Sequence, residues 1–94
     1  MTVTAFRRWL EKHPRMLFQT SSDSCCPVAK YLGKGANVAT EKYWPPGRSH
    51  DKKMLRLPEW ARRFVAAFDS LGVPGYFDGR RALKVLLRSS YRGG

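Results

Sequence analysis

Apolar residues recur at i, i+4, i+7, i+8 and i+11 along Trp60, Phe64, Ala67, Phe68 and Leu71. At about 100° per residue these gather on one face of a helix. The spacing predicts a helix within residues 57–72. Pro58 suits its first turn, where a missing N–H costs nothing, and Glu59 faces the positive end of the macrodipole. Gly72 can adopt the left-handed cap conformation, and Pro74 keeps the helix from resuming. Three large aromatics on one stripe make this segment the expected floor of the core.

The same reading runs through the rest of the chain. Residues 2–13 carry Val3, Phe6 and Leu10 on one helical face with Trp9 beside them, a threonine as N-cap and Pro14 as the stop. Residues 15–20 suit a short strand. Residues 21–24 form a loop of capping types, and 25–32 read as a second short helix with Pro27 in its first turn and Gly33 after its end. Gly35 and Asn37 make a turn before a strand centred on 38–40. Residues 54–57 are expected to return as a strand paired with 38–40. Residues 73–77 read as a turn, and Asp78 as the cap of a last helix from 79 to about 89. The fold class is therefore α+β: one domain of about four helices packed on a two- or three-stranded antiparallel sheet. Residues 41–53 form a Pro-rich basic loop, and residues 90–94 a flexible tail.

A chain of 94 residues with 43% hydrophobic content belongs with globular single domains, since two domains of half that length would lack cores. Its net charge of +11 alters the picture more. Self-repulsion at that charge works against a small fold, so an anionic partner is implied. Nucleic acid comes first, an acidic protein surface second and an anionic membrane third. The charge is uneven: residues 59–78 hold two basic and three acidic groups, whereas from Gly79 onward there are five basic groups and no acidic one. No apolar run of signal-peptide length opens the chain, and none approaches the roughly 20 residues of a membrane span. With two adjacent cysteines and no signal, the expectation is a cytoplasmic protein with reduced thiols that does not act at a membrane.

Candidate chemistry concentrates in the last helix. Arg80, Arg81, Lys84 and Arg88 fall within an arc of about 100° at helical spacing. Ala82, Leu83, Val85, Leu86 and Leu87 fill the remaining circumference. A cationic stripe of this kind can track a phosphate backbone, with Arg92 extending it, although a basic solvated helix face has the same pattern. The loop supplies a second set: Lys42, Arg48, Lys52 and Lys53 around Tyr43 and Trp44, a mixture that suits base stacking with backbone neutralisation. Trp44, beside two prolines, suits folding over the core equally well. Trp44 and Tyr76 are the candidate anchors for a protein partner.

Enzyme chemistry finds no named players. Cys25 and Cys26 lie near a helix start, which can activate a thiol, but nothing places His13 or His50 beside them. Adjacent cysteines point apart and lack the Cys-x2-4-Cys spacing of a zinc site. Gly33-Lys34-Gly35 is too short for a phosphate loop. The four aspartates form no recognisable pair for acid–base work. No catalytic residue, metal, cofactor or small-molecule substrate is therefore expected.

Phe6-x-x-Trp9-Leu10, Cys26-Pro27-Val28-Ala29-x-Tyr31-Leu32 and Leu57-Pro58-x-Trp60-x-x-x-Phe64-Val65 together resemble a pattern in small uncharacterised proteins of bacteriophages and prophages. The resemblance covers most of residues 6–68. It implies no catalytic residue and no cofactor, and it implies a phage accessory setting in the host cytoplasm. Small proteins in that setting bind host machinery or nucleic acid. The strong basicity and the Pro-rich loop of this chain depart from the pattern. The expectation is a non-enzymatic protein that binds nucleic acid, or a protein–nucleic-acid complex, through the C-terminal cationic face. The alternative is a phage-encoded inhibitor, anti-CRISPR-like or otherwise anti-defence, that binds an acidic surface of a host protein.

Overall fold

The structure, a computed structural model, describes residues 1–45, 54–72 and 75–89. Its helices are α1 (Val3–Lys12), α2 (Pro27–Leu32), α3 (Glu59–Asp69) and α4 (Gly79–Ser89), and its strands are β1 (Leu17–Gln19), β2 (Asn37–Val38), β3 (Lys42–Trp44), β4 (Leu55–Arg56) and β5 (Tyr76–Asp78). The fold is α+β, with two small antiparallel sheets in place of the single sheet expected: β1–β5, and β2–β3–β4.

The helices begin and end for local reasons. Thr2 Oγ1 accepts the Ala5 N–H at 3.2 Å to start α1. Cys26 caps α2, its sulfur accepting the Ala29 N–H at 3.4 Å, so the helix begins after the cysteine pair. Pro58 is the N-cap of α3 and lies outside its first turn; its carbonyl accepts the N–H groups of Ala61 and Arg62, both at 3.0 Å. Ser70 ends that helix. Gly72 follows two residues later with φ +136, and its carbonyl accepts the hydroxyl of Thr20, a buried side chain.

Three strand expectations are corrected. Residues 54–57 do not pair with 38–40, because β3 lies between them: Lys42 is opposite Arg56 and Tyr43 opposite Leu55, while Val38 is opposite Tyr43 on the other side. The segment expected to begin the Pro-rich loop is thus the middle strand of a sheet. Its aromatic, β-prone residues outweigh the prolines that follow. Residues 76–78, expected at the end of a turn, form β5 and pair with β1, Phe18 opposite Phe77. Of the loop and tail, residues 46–53 and 90–94 lie outside the described residues, as do residues 73–74.

The core draws on every helix. Phe6 and Leu10 of α1, Val28 and Ala29 of α2, Ala61, Phe64, Val65 and Phe68 of α3, and Ala82, Val85 and Leu86 of α4 are buried with Phe18, Val38 and Leu57. Burying each large side chain contributes about 1.5–3 kcal/mol. The rings converge on α1 rather than on α3. Phe6 lies 5.2 Å from Tyr31, 5.2 Å from Phe64 and 5.4 Å from Trp60, centroid to centroid. Phe64 and Phe68 stack along α3 and pass the cluster on to Phe77. α4 packs between α1 and α3 and against its own strand β5.

Candidate nucleic-acid interface

α4 is fixed at its first turn by two backbone devices. Asp78 Oδ1 accepts the Arg81 N–H at 3.0 Å, which satisfies one of the orphan donors of the helix start. Gly79 is buried against the turn that follows α1, and the Arg80 N–H donates to the Pro14 carbonyl at 3.2 Å. Ala82, Val85 and Leu86 then face the core. That orientation turns Arg80, Arg81, Lys84 and Arg88 outward, and all four are exposed. The stripe extends about 12 Å at 1.5 Å per residue.

The stripe is electrostatically unrelieved. Among the described residues none of its four cations is ion-paired; Arg7 pairs with Glu11 on α1 and Glu59 with Arg63 on α3. The nearest elements offer no spare carboxylate. Asp69 accepts the Ser21 N–H at 2.8 Å, and Asp78 caps α4. Arg80–Lys84, Arg81–Lys84 and Lys84–Arg88 are like-charge neighbours at i,i+3 or i,i+4, each unfavourable by about 0.2–0.5 kcal/mol. Arg80 and Arg81 also sit at the positive end of the helix dipole, the wrong end for a cation. An anion laid along this face relieves all of these terms together.

Other features refine the surface. The Arg81 guanidinium lies 5.6 Å from the centre of the Phe77 ring, which steadies one end of the stripe. Arg81, Lys84 and Arg88 rim an open groove floored by Leu71, Val85 and Leu87. Two cations that sequence reasoning missed join the N-terminal end. Lys12 and Arg15 are exposed on either side of the His13–Pro14 turn against which α4 begins. Their distance in sequence from Arg80 hid this; only the packing of α1 on α4 brings them together.

The loop candidates fare differently. Lys42 is exposed, but it belongs to β3, whereas α4 packs on α1, α3 and β5. Lys42 faces Arg56 across the sheet, a further like-charge pair. Tyr43 and Trp44 are half-buried in β3, so Trp44 is not a projecting anchor: pairing of its strand draws it into the fold. Tyr76, in contrast, is 67% exposed. Arg48, Lys52, Lys53 and Arg92 lie outside the described residues.

The thiols have unlike environments. Cys25 is partly exposed and its thiol is held below the ordinary range by hydrogen bonds from Ser24 and Ser22, with Lys30 adding to them against a small burial penalty. Burial pushes the Cys26 thiol up to about 11. The His13 ring N–H donates to the Trp9 carbonyl at 2.8 Å, back onto the helix that His13 ends. Among the described residues no helix is long and apolar enough to cross a membrane. No protein-family model, curated protein or solved structure matches the chain.

Proposed function

We propose that this protein is a non-enzymatic binding protein that engages nucleic acid, alone or within a nucleoprotein complex, through the cationic face of α4. The observation that carries this reading is the stripe Arg80–Arg81–Lys84–Arg88, exposed and without an ion pair among the described residues, while the neighbouring carboxylates are engaged elsewhere. Four phosphate contacts predict a log–log salt slope of about −2.8 on single strands and about −3.6 on duplex. Raising salt from 50 to 200 mM then weakens binding roughly 50- to 150-fold. The test is a gel-shift titration with all four residues reversed to glutamate. Loss of binding with an unchanged circular dichroism spectrum is expected; unchanged affinity refutes the reading.

A second reading is favoured by one observation, the apolar floor of Leu71, Val85 and Leu87 beneath the cations. A phosphate backbone has no use for that floor, whereas an acidic protein surface with apolar residues does. This is the action of a phage-encoded inhibitor in host cytoplasm, the setting that the resemblance to phage proteins suggests. Copurification of a host protein that survives nuclease treatment separates it from the first reading.

A further inference from the structure

Among the described residues the chain has eleven aromatic side chains, and ten of them are buried or half-buried. Tyr76 alone is exposed, at 67%. It stands on the outer face of the β1–β5 sheet, because its neighbour Phe77 turns inward to meet Phe68 and successive strand residues alternate faces. Leu17 is on the same outer face, diagonal to Tyr76 in the register and 58% exposed. A two-stranded sheet thus presents a ring and an aliphatic side chain to solvent, side by side.

Cations flank the two strands in sequence and at their edge. Lys30 Nζ donates to the Leu17 carbonyl at 3.1 Å, which holds an ammonium at the β1 edge. Arg15 precedes β1, and Arg80 follows β5 after Gly79, while Arg81 lies over the Phe77 ring on the other face of the strand. Tyr76 is two strand residues, about 7 Å, from Asp78 at the start of α4. The one carboxylate on the face, Asp78, is engaged in capping α4. A ring with an open face, on the strand that leads into a cationic helix stripe, is an arrangement that suits unpaired bases. Stacking supplies one part of the contact and backbone neutralisation the other. In a duplex the bases are stacked on each other and offer no free face to such a ring.

Resting on the nucleic-acid reading above, we infer that the preferred ligand is single-stranded, with a base stacked on Tyr76 and its backbone running onto α4 past Arg80 and Arg81. Stacking, expected from the sequence at Tyr43 and Trp44, is here assigned to the β1–β5 sheet.

The experiment measures affinity of the full chain for fluorescein-labelled dT15 and for a 15-base-pair duplex, by anisotropy at fixed salt. Tyr76→Ala, Tyr76→Phe and the fourfold reversal on α4 are compared with the parent. Tyr76→Ala is expected to weaken dT15 binding by about 5- to 100-fold and to leave the duplex within twofold, while Tyr76→Phe retains parent affinity for both. In parallel, a dT15 strand bearing one 5-iododeoxyuridine is photocrosslinked and the attachment site mapped by mass spectrometry, with Tyr76 expected. Equal dT15 affinity for Tyr76→Ala and the parent overturns the inference, as does a crosslink confined to other residues; either result assigns the exposed sheet face to some other partner. The fourfold reversal is the separate check on the underlying reading. If it leaves both ligands bound, nucleic-acid binding through α4 is itself wrong, whereas if it abolishes both while Tyr76→Ala changes nothing, only the stacking platform falls.

Discussion

Replacing Gly79 with alanine places a Cβ directly on the His13 carbonyl oxygen, 3.0 Å from the His13 carbonyl carbon and 3.1 Å from Pro14 Cα. All three are backbone atoms, so no rotamer change can make room. Helix propensity argues the other way: alanine in place of a helical glycine is favourable by up to about 1 kcal/mol. The magnitudes decide between them. Overpacking a tight contact costs about 1–3 kcal/mol. If the α1–β1 turn retreats instead, the Arg80 N–H to Pro14 carbonyl bond is lost as well, at about 0.5–1.5 kcal/mol. The net expectation is destabilisation by about 0.5–3.5 kcal/mol, which lowers Tm by roughly 2–28 °C in a domain of this size.

Urea denaturation followed by circular dichroism measures this, with Gly72→Ala as the comparison. At Gly72 a Cβ meets nothing within 4 Å, but φ is +136, so any loss there is backbone strain. Gly79 carries no such φ, and its loss is steric. A Gly79→Ala protein as stable as the parent, or more so, refutes the close approach of α4 to the α1–β1 turn. It would also remove the reason for placing Lys12 and Arg15 beside Arg80.

Thr20→Val keeps the shape of a buried side chain but leaves the Gly72 carbonyl without its hydroxyl donor; a loss of about 1–2 kcal/mol in urea unfolding is expected, and no change would mean that the carbonyl finds another donor. At pH 8 one thiol, Cys25, should react promptly with Ellman's reagent and Cys26 only on unfolding, so two thiols reacting at one fast rate contradicts the burial. The native value for Cys26 lies above its ordinary 9.0, so the fold favours the protonated thiol. Its stabilisation is intact below about pH 9 and is lost as pH rises through about 11, by at most about 2.7 kcal/mol. Cys26→Ala should therefore show a flatter decline in stability across that window than the parent, and equal slopes refute the assignment.

Three of the helices were legible because each carries enough residues for a 3.6-residue period to be visible, and the six-residue α2 because Pro27 and Gly33 bracket it. α4 was read with its bounds, its Asp78 cap and its division into core and cationic faces. Sheet pairing was not legible, for a physical reason: strands of two or three residues have no alternation to count, and β1 meets β5 across more than half the chain. Lys42–Trp44 was hidden differently, since the prolines after it suggested a connector while its pairing with both Val38 and Leu55 is decided at long range. The candidate site divides along the same line. The stripe of α4 could be found from one helix, whereas Lys12 and Arg15 beside it, and the exposure of Tyr76, depend on which elements pack together.

The arrangement on α4 is difficult to explain as surface solubility. A solubilising face does best with mixed charges and with cations near the C-terminal end of a helix. Here only Arg88 is at that end, and Arg80 and Arg81 are at the opposite one. Three acidic residues are placed on α1 and α3 instead, and two of them form ion pairs there. Such a face weakens the free protein and is compensated only when an anion binds, which is the stability–function opposition common at binding sites. Reversing the four cations lowers the net charge from +11 to +3, two charges for each residue, and places carboxylates at the helix start where the dipole favours them. The variant expected to lose nucleic-acid binding should thus fold at least as well as the parent. A stripe that served the fold would give the reverse, with binding and stability falling together.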